Sequence, residues 1–161
     1  MTGLLIAGIG NIFQGDDGFG AAVAGELARR RLPEGVRVVD FGIRGLDLAY
    51  ALLDGDGAAI LVDIVQRDGP PGTLYVIEPE APTAGDVSLS PHAMAPHDVL
   101  RLASVLGAPG RRILLVGCEP ARFGESEFGT MALSPPVAAA VARAADTVED
   151  LARELLEQEV S

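Results

Sequence analysis

A chain of 161 residues, 48% of them apolar, is long enough for one core of ordinary size and too apolar to remain disordered. Its formal charge of -11, from 12 basic against 23 acidic side chains, repels the phosphates of nucleic acid and of anionic lipid headgroups, so neither is an expected partner. A single cysteine, Cys118, excludes an intramolecular disulfide and the paired-cysteine spacing of structural zinc sites, which fits a reducing compartment.

No segment approaches the roughly 20 apolar residues that span a bilayer. The first apolar run, Leu4 to Ala7, breaks at Gly8 and has no basic residues before it, unlike a signal peptide. The expectation is one soluble, cytoplasmic domain over residues 1–161. With Trp absent and few aromatics, its core must come from Leu, Val, Ile and Ala.

Gly3 to Ala7 reads as a first buried strand, and a helix follows from about Gly18 with Phe19, Val23 and Leu27 stacked on one face. That helix should stop near Leu32, before Pro33 and Gly35. Val36 to Asp40 reads as a second strand, Leu46 to Leu53 as a short helix, and Ala58 to Val62 as a central strand, because an unbroken apolar run implies burial on both faces. After the turn-rich Asp68 to Gly72, Thr73 to Ile77 makes an antiparallel, hairpin-like excursion.

Glu78 to Pro91 has the composition of a functional loop. A helix over about Pro96 to Leu106 and a last strand, Arg112 to Gly117, follow, then an irregular stretch from Pro120 to Met131. The final helix starts with Ser134 as N-cap and Pro135 as its first residue. Its apolar stripe runs Val137, Val141, Ala144, Val148, Leu151 and Leu155, and its acidic residues, among them Asp146 and Glu149, take the solvated side. Strands alternating with helical patterns predict an α/β fold, a mostly parallel sheet covered by helices on both faces.

The stretch Gly8-Ile9-Gly10-Asn11 through Asp16-Asp17-Gly18-Phe19-Gly20 joins the first strand to the first helix. It lacks the third glycine of a dinucleotide-binding turn, since Phe13 stands there, and two carboxylates would repel a pyrophosphate. Asp16 and Asp17 suit the positive end of the helix dipole as caps, yet one aspartate suffices for that. The second points to ligand binding in the crevice at the carboxyl ends of the strands.

Asp63 follows Ile60-Leu61-Val62 and emerges at the same sheet edge. It either accepts backbone amides of the next turn or is paired with a cation. His92, in Ser90-Pro91-His92, is presented from a chain stiffened by Pro91. Two carboxylates and an imidazole form a mixed site suited to a borderline ion such as nickel or zinc. The rival His97, beside Asp98, reads better as a solvated helix-start residue. Cys118 is either a thiol nucleophile or a small core filler, with Glu119 disfavouring the thiolate. Arg29-Arg30-Arg31 complements a helix C-terminus and is not read as a binding site.

Four ordered motifs, Gly8 to Asn11 with Asp16 to Gly20, Val62-Asp63, Ser90-Pro91-His92 with Asp98-Val99-Leu100, and Gly117-Cys118-Glu119-Pro120, resemble those of the hydrogenase maturation proteases. These are processing endopeptidases of nickel-iron hydrogenase large subunits. The resemblance covers nearly the whole chain. It implies a three-layer α/β/α sandwich around a twisted, mostly parallel five-stranded sheet with one antiparallel strand.

It also implies that Asp17, Asp63 and His92 are the metal-binding and catalytic trio, although members often carry Glu at the first of these positions. The loop Asp40-Phe41-Gly42-Ile43-Arg44-Gly45 departs from the two glycines and threonine of many relatives, leaving the hydrogenase class open. The resemblance further implies nickel supplied by the precursor rather than bound tightly to the free enzyme, and the hydrogenase large-subunit precursor as partner; a monomer is expected. The alternatives are a non-catalytic nickel-sensing checkpoint module and a thiol peptidase using Cys118.

Overall fold

A computed structural model of the protein describes residues 3–10, 15–42, 47–48, 51, 57–78, 112–121 and 132–160. Its strands are β1 (Leu4–Ile9), β2 (Val36–Gly42), β3 (Ala58–Ile64), β4 (Leu74–Ile77) and β5 (Ile113–Cys118). They form a five-stranded sheet in the order β2-β1-β3-β5-β4, parallel except where β4 meets β5. The helices α1 (Phe19–Ala28) and α2 (Pro135–Val160) pack on one face. The expected α/β fold with a mostly parallel five-stranded sheet is therefore observed.

Every residue of β1 and β3 is buried, as continuous apolar runs demand when helices cover both faces. Alternation along the strands divides the core in two. Leu4, Ile6, Ile60, Val62 and Val116 pack against Phe19, Val23 and Leu27 of α1 and Val137, Ala144 and Val148 of α2. Leu5, Ala7, Leu61 and Leu115 face the other way, onto Phe41, the helical Leu48 and the partly buried Ala51.

Three local expectations are adjusted. α1 ends at Ala28 and not near Leu32: the Arg29 and Arg30 amides donate to the Glu26 and Leu27 carbonyls, a tightened last turn. Arg30 there reaches Glu26 and, across to α2, Asp146 at 2.7 Å and Glu149 at 3.6 Å, so this arginine and part of the acidic helix face are spent on each other. β4 follows β3 by a short turn, but β5 is inserted between them and takes the antiparallel pairing. In α2 the buried stripe includes Ala140, Ala145 and Ala152, with Val141 and Leu151 only partly covered, because small side chains let the helix approach the sheet.

The loop expected over Glu78 to Pro91 from residue 79 on, and the helix over Pro96 to Leu106, lie outside the described residues. Among the described residues no helix is long and apolar enough to cross a membrane.

Candidate functional site

In this sheet β1 and β3 are neighbours, and their connections leave in opposite directions, from β1 through α1 to β2 and from β3 toward β4 and β5. That is a topological switch point, where the carboxyl ends of adjacent strands open a crevice. Asp17 comes from the single 3-10 turn Gly15–Gly18 that follows β1, and Asp63 from the end of β3.

Glycines let the loop close on this crevice. Gly10 has φ +127°, and a Cβ there would lie 1.9 Å from the Asp17 carbonyl oxygen. Gly20, in the first turn of α1, sits so close to the strands that a Cβ would lie 2.3 Å from the Ile9 carbonyl oxygen and 2.6 Å from that of Val62. The start of α1 is thus pressed onto the ends of β1 and β3, with Asp17 immediately before it.

Asp63 is 7% exposed, and the amide among the described residues that donates to its carboxylate is its own neighbour, Ile64 N–H to Oδ1 at 2.8 Å. Burial pushes its carboxyl well above the usual carboxylate range, the Ile64 bond offsets this in part, and the negative Asp17 adds to the rise. Next to it in register stands Gly117, and the space its missing side chain leaves is filled by the methyls of Val65. A desolvated carboxyl that feels a second negative charge favours capture of either a proton or a cation.

Asp17 and Asp63 are the described side chains able to hold a metal there. Among the described residues no three His, Cys, Asp or Glu side chains could hold one by themselves. His92, expected as the third ligand, and its rival His97 both lie outside the described residues.

The adjacent Asp16 does something else. It is 2% exposed, and the residue in N-cap position of α1 is Gly18, without a side-chain cap bond. Asp16 instead reaches across the molecule: Ser134 N–H donates to Oδ1 at 2.7 Å, and Ala121 N–H and the Ser134 hydroxyl donate to Oδ2 at 2.9 and 2.8 Å. Ser134 keeps its place before α2, its carbonyl accepting from Ala138 N–H, while its hydroxyl serves Asp16.

Glu119, 5% exposed, is a second buried carboxylate whose work the sequence does not disclose. It accepts from the amides of Arg67 and Gly69 and from the Tyr75 hydroxyl at 2.8 Å, fixing the turn that leaves β3. Burial pushes its pKa up, but the bonds from Gly69, Tyr75 and Arg67 outweigh this and hold it below the ordinary value. Bonding to Glu119 in turn raises the Tyr75 pKa. The available hint was a charge set directly between a buried strand and Pro120.

Cys118 is fully buried among the residues facing α1 and α2. Burial, with the negative Asp16 and Glu119 nearby, lifts its thiol to about 11 despite the opposing Arg143. A neutral, inaccessible thiol is not an activated nucleophile. The core-filler reading holds, and the thiol-peptidase alternative loses its nucleophile.

The sequence model described as HycI, hydrogenase maturation protease, matches residues 21–151. The hydrogenase expression/formation protein HupM of Azotobacter chroococcum is 40% identical over 136 residues, 80% of this chain. The chain spans 64% of that relative's length, under two thirds of it. The hydrogenase 2 maturation protease of Escherichia coli is 30% identical over 153 residues, 94% of this chain and 91% of the relative. In three dimensions the hydrogenase maturating endopeptidase HybD from E. coli superposes with a TM-score of 0.74 at 25% identity, over 95% of this chain and 93% of that one. With sequence and backbone agreeing over most of its length, the chain belongs to the hydrogenase maturation protease family.

Proposed function

We propose that the protein is a hydrolase, an endopeptidase that removes a C-terminal peptide from the nickel-loaded large-subunit precursor of a nickel-iron hydrogenase. The observation that carries this reading is the desolvated Asp63 carboxyl with the charged Asp17 beside it at the switch point. Such a pair resists double ionisation until a cation arrives. Membership of the family supplies the substrate class.

In this reading the metal is part of the substrate, carried in by the precursor, and the free enzyme needs no tightly held ion. Asp17 and Asp63 offer carboxylate oxygens and His92 an imidazole nitrogen, a mixed donor set suited to nickel. The nickel supplies Lewis acidity toward the scissile carbonyl or the attacking water. One of the two carboxylates accepts the proton that the water gives up. The buried β1 and β3 ends beneath it give a rigid floor, so the precursor must bring its scissile bond to a fixed pair of oxygens.

The strong negative charge disfavours nucleic acid and anionic membrane surfaces as partners, and we expect a monomeric, cytoplasmic enzyme. The test of the residue roles is processing of nickel-loaded precursor by Asp63→Ala and His92→Ala. Both should leave the subunit uncut with an unchanged circular dichroism spectrum. Wild-type cutting by either variant would remove that residue from the site.

A further inference from the structure

Asp63 stands on a central strand bonded on both sides, so its position needs no further support. Asp17 is different. It belongs to a single 3-10 turn, Gly15–Gly18, and one such turn has no stability of its own because its nucleation cost is not repaid by propagation. Something outside the turn must hold it.

The holding contacts come from Ser134, before α2, and from the segment that continues β5. Ala121 N–H and both donors of Ser134 converge on the buried Asp16 carboxylate, next in sequence to Asp17. The same segment grips the chain leaving Asp63: Val65 N–H donates to the Cys118 carbonyl at 3.0 Å, and Arg67 and Gly69 N–H donate to the Glu119 carboxylate. Residues 118–121 therefore form a crossbar between the two chain segments that carry the site carboxylates. On the opposite side Gly10 abuts the Asp17 carbonyl, leaving the turn little freedom to slide.

We propose that Asp16 is a positioning residue, which by its bonds to Ala121 and Ser134 sets the place of Asp17 relative to Asp63 and so the geometry of the cut. Its charge is not used on the substrate. The donors described on both oxygens need a carboxylate as acceptor, which an aspartate supplies and an asparagine, with its own N–H groups turned toward one of them, does not.

The kinetic arm rests on the proposed processing activity, and a second arm does not. In single turnover with nickel-loaded precursor at 20 °C, well below unfolding, Asp16→Asn should cut at least tenfold more slowly than the wild type. Ser134→Ala, which removes the bond from the hydroxyl and keeps that from the amide, should show a smaller loss of about threefold. Val148→Ala, a core truncation in α2, serves as a control for lost stability and should keep the wild-type rate. By hydrogen exchange, the Asp17 and Gly18 amides should exchange at least tenfold faster in Asp16→Asn than in the wild type.

Wild-type cutting by Asp16→Asn, or an equal slowing in Val148→Ala, would overturn the proposal, as would unchanged exchange at Asp17. If Asp16→Asn does not fold, Ser134→Ala decides by the same two measurements. If the wild type cuts no precursor, the processing function falls, and the exchange of Asp17 still tells whether Asp16 holds it.

Discussion

Burial lifts the Asp63 carboxyl well above the usual range, and the negative Asp17, from the turn after β1, adds to the rise. Because the folded value lies above the ~3.9 of an unfolded aspartate, the folded protein binds the extra proton, and this contribution to stability is present at low pH and lost as pH rises through the folded value. Asp63→Asn removes the titration. Thermal melts of the metal-free protein should show the variant gaining on the wild type as pH goes from about 4 to about 8. A gap that shrinks over that range would contradict the assignment.

Gly20 admits no side chain, since its Cβ would overlap the carbonyl oxygens of Ile9 and Val62, which are backbone atoms unable to swing aside. Gly20→Ala should therefore cost about 3 kcal/mol in urea unfolding, the upper part of the usual overpacking range. It should also slow processing, because the start of α1 directly follows Asp17. A variant as stable as the wild type would show that α1 can shift outward freely.

Cys118 should be chemically silent. With its thiol at about 11 and no exposed surface, native protein at pH 8 should react with iodoacetamide far more slowly than unfolded protein. Cys118→Ala should lose about 1 kcal/mol of packing and keep full processing activity. Loss of cutting in a folded Cys118→Ala would return the thiol to the mechanism.

The Arg30 bridge from α1 to Asp146 and Glu149 of α2 is partly exposed and lies among the helices, away from the crevice. Arg30→Gln should lower the melting temperature slightly, the difference should shrink in 1 M salt as ion pairs are screened, and cutting should not change. A loss that salt leaves untouched would point to packing of the arginine stem instead.

Much of this was legible in the sequence because it is written in local patterns. Unbroken runs such as Ala58 to Val62 announce strands buried on both faces, and the spacing of Phe19, Val23 and Leu27 announces the inner face of α1. The placement of Asp17 just after β1 and of Asp63 near the end of β3 followed from a rule about strand ends. What stayed hidden depends on contacts between distant segments. Nothing near Asp16 in sequence signals Ser134, 118 positions on, so a buried tether looked like a helix cap. The insertion of β5 between β3 and β4, and the early end of α1 at the Arg30 bridge, are likewise tertiary outcomes that local propensity does not encode.

In the proposed mechanism two carboxylates and an imidazole act on a nickel ion that arrives with the substrate. The most direct measurement is mass spectrometry of the large-subunit precursor after incubation with the protein, comparing nickel-loaded with nickel-free precursor. The account predicts a shortened subunit from the loaded form alone. Equal shortening of both forms would contradict it.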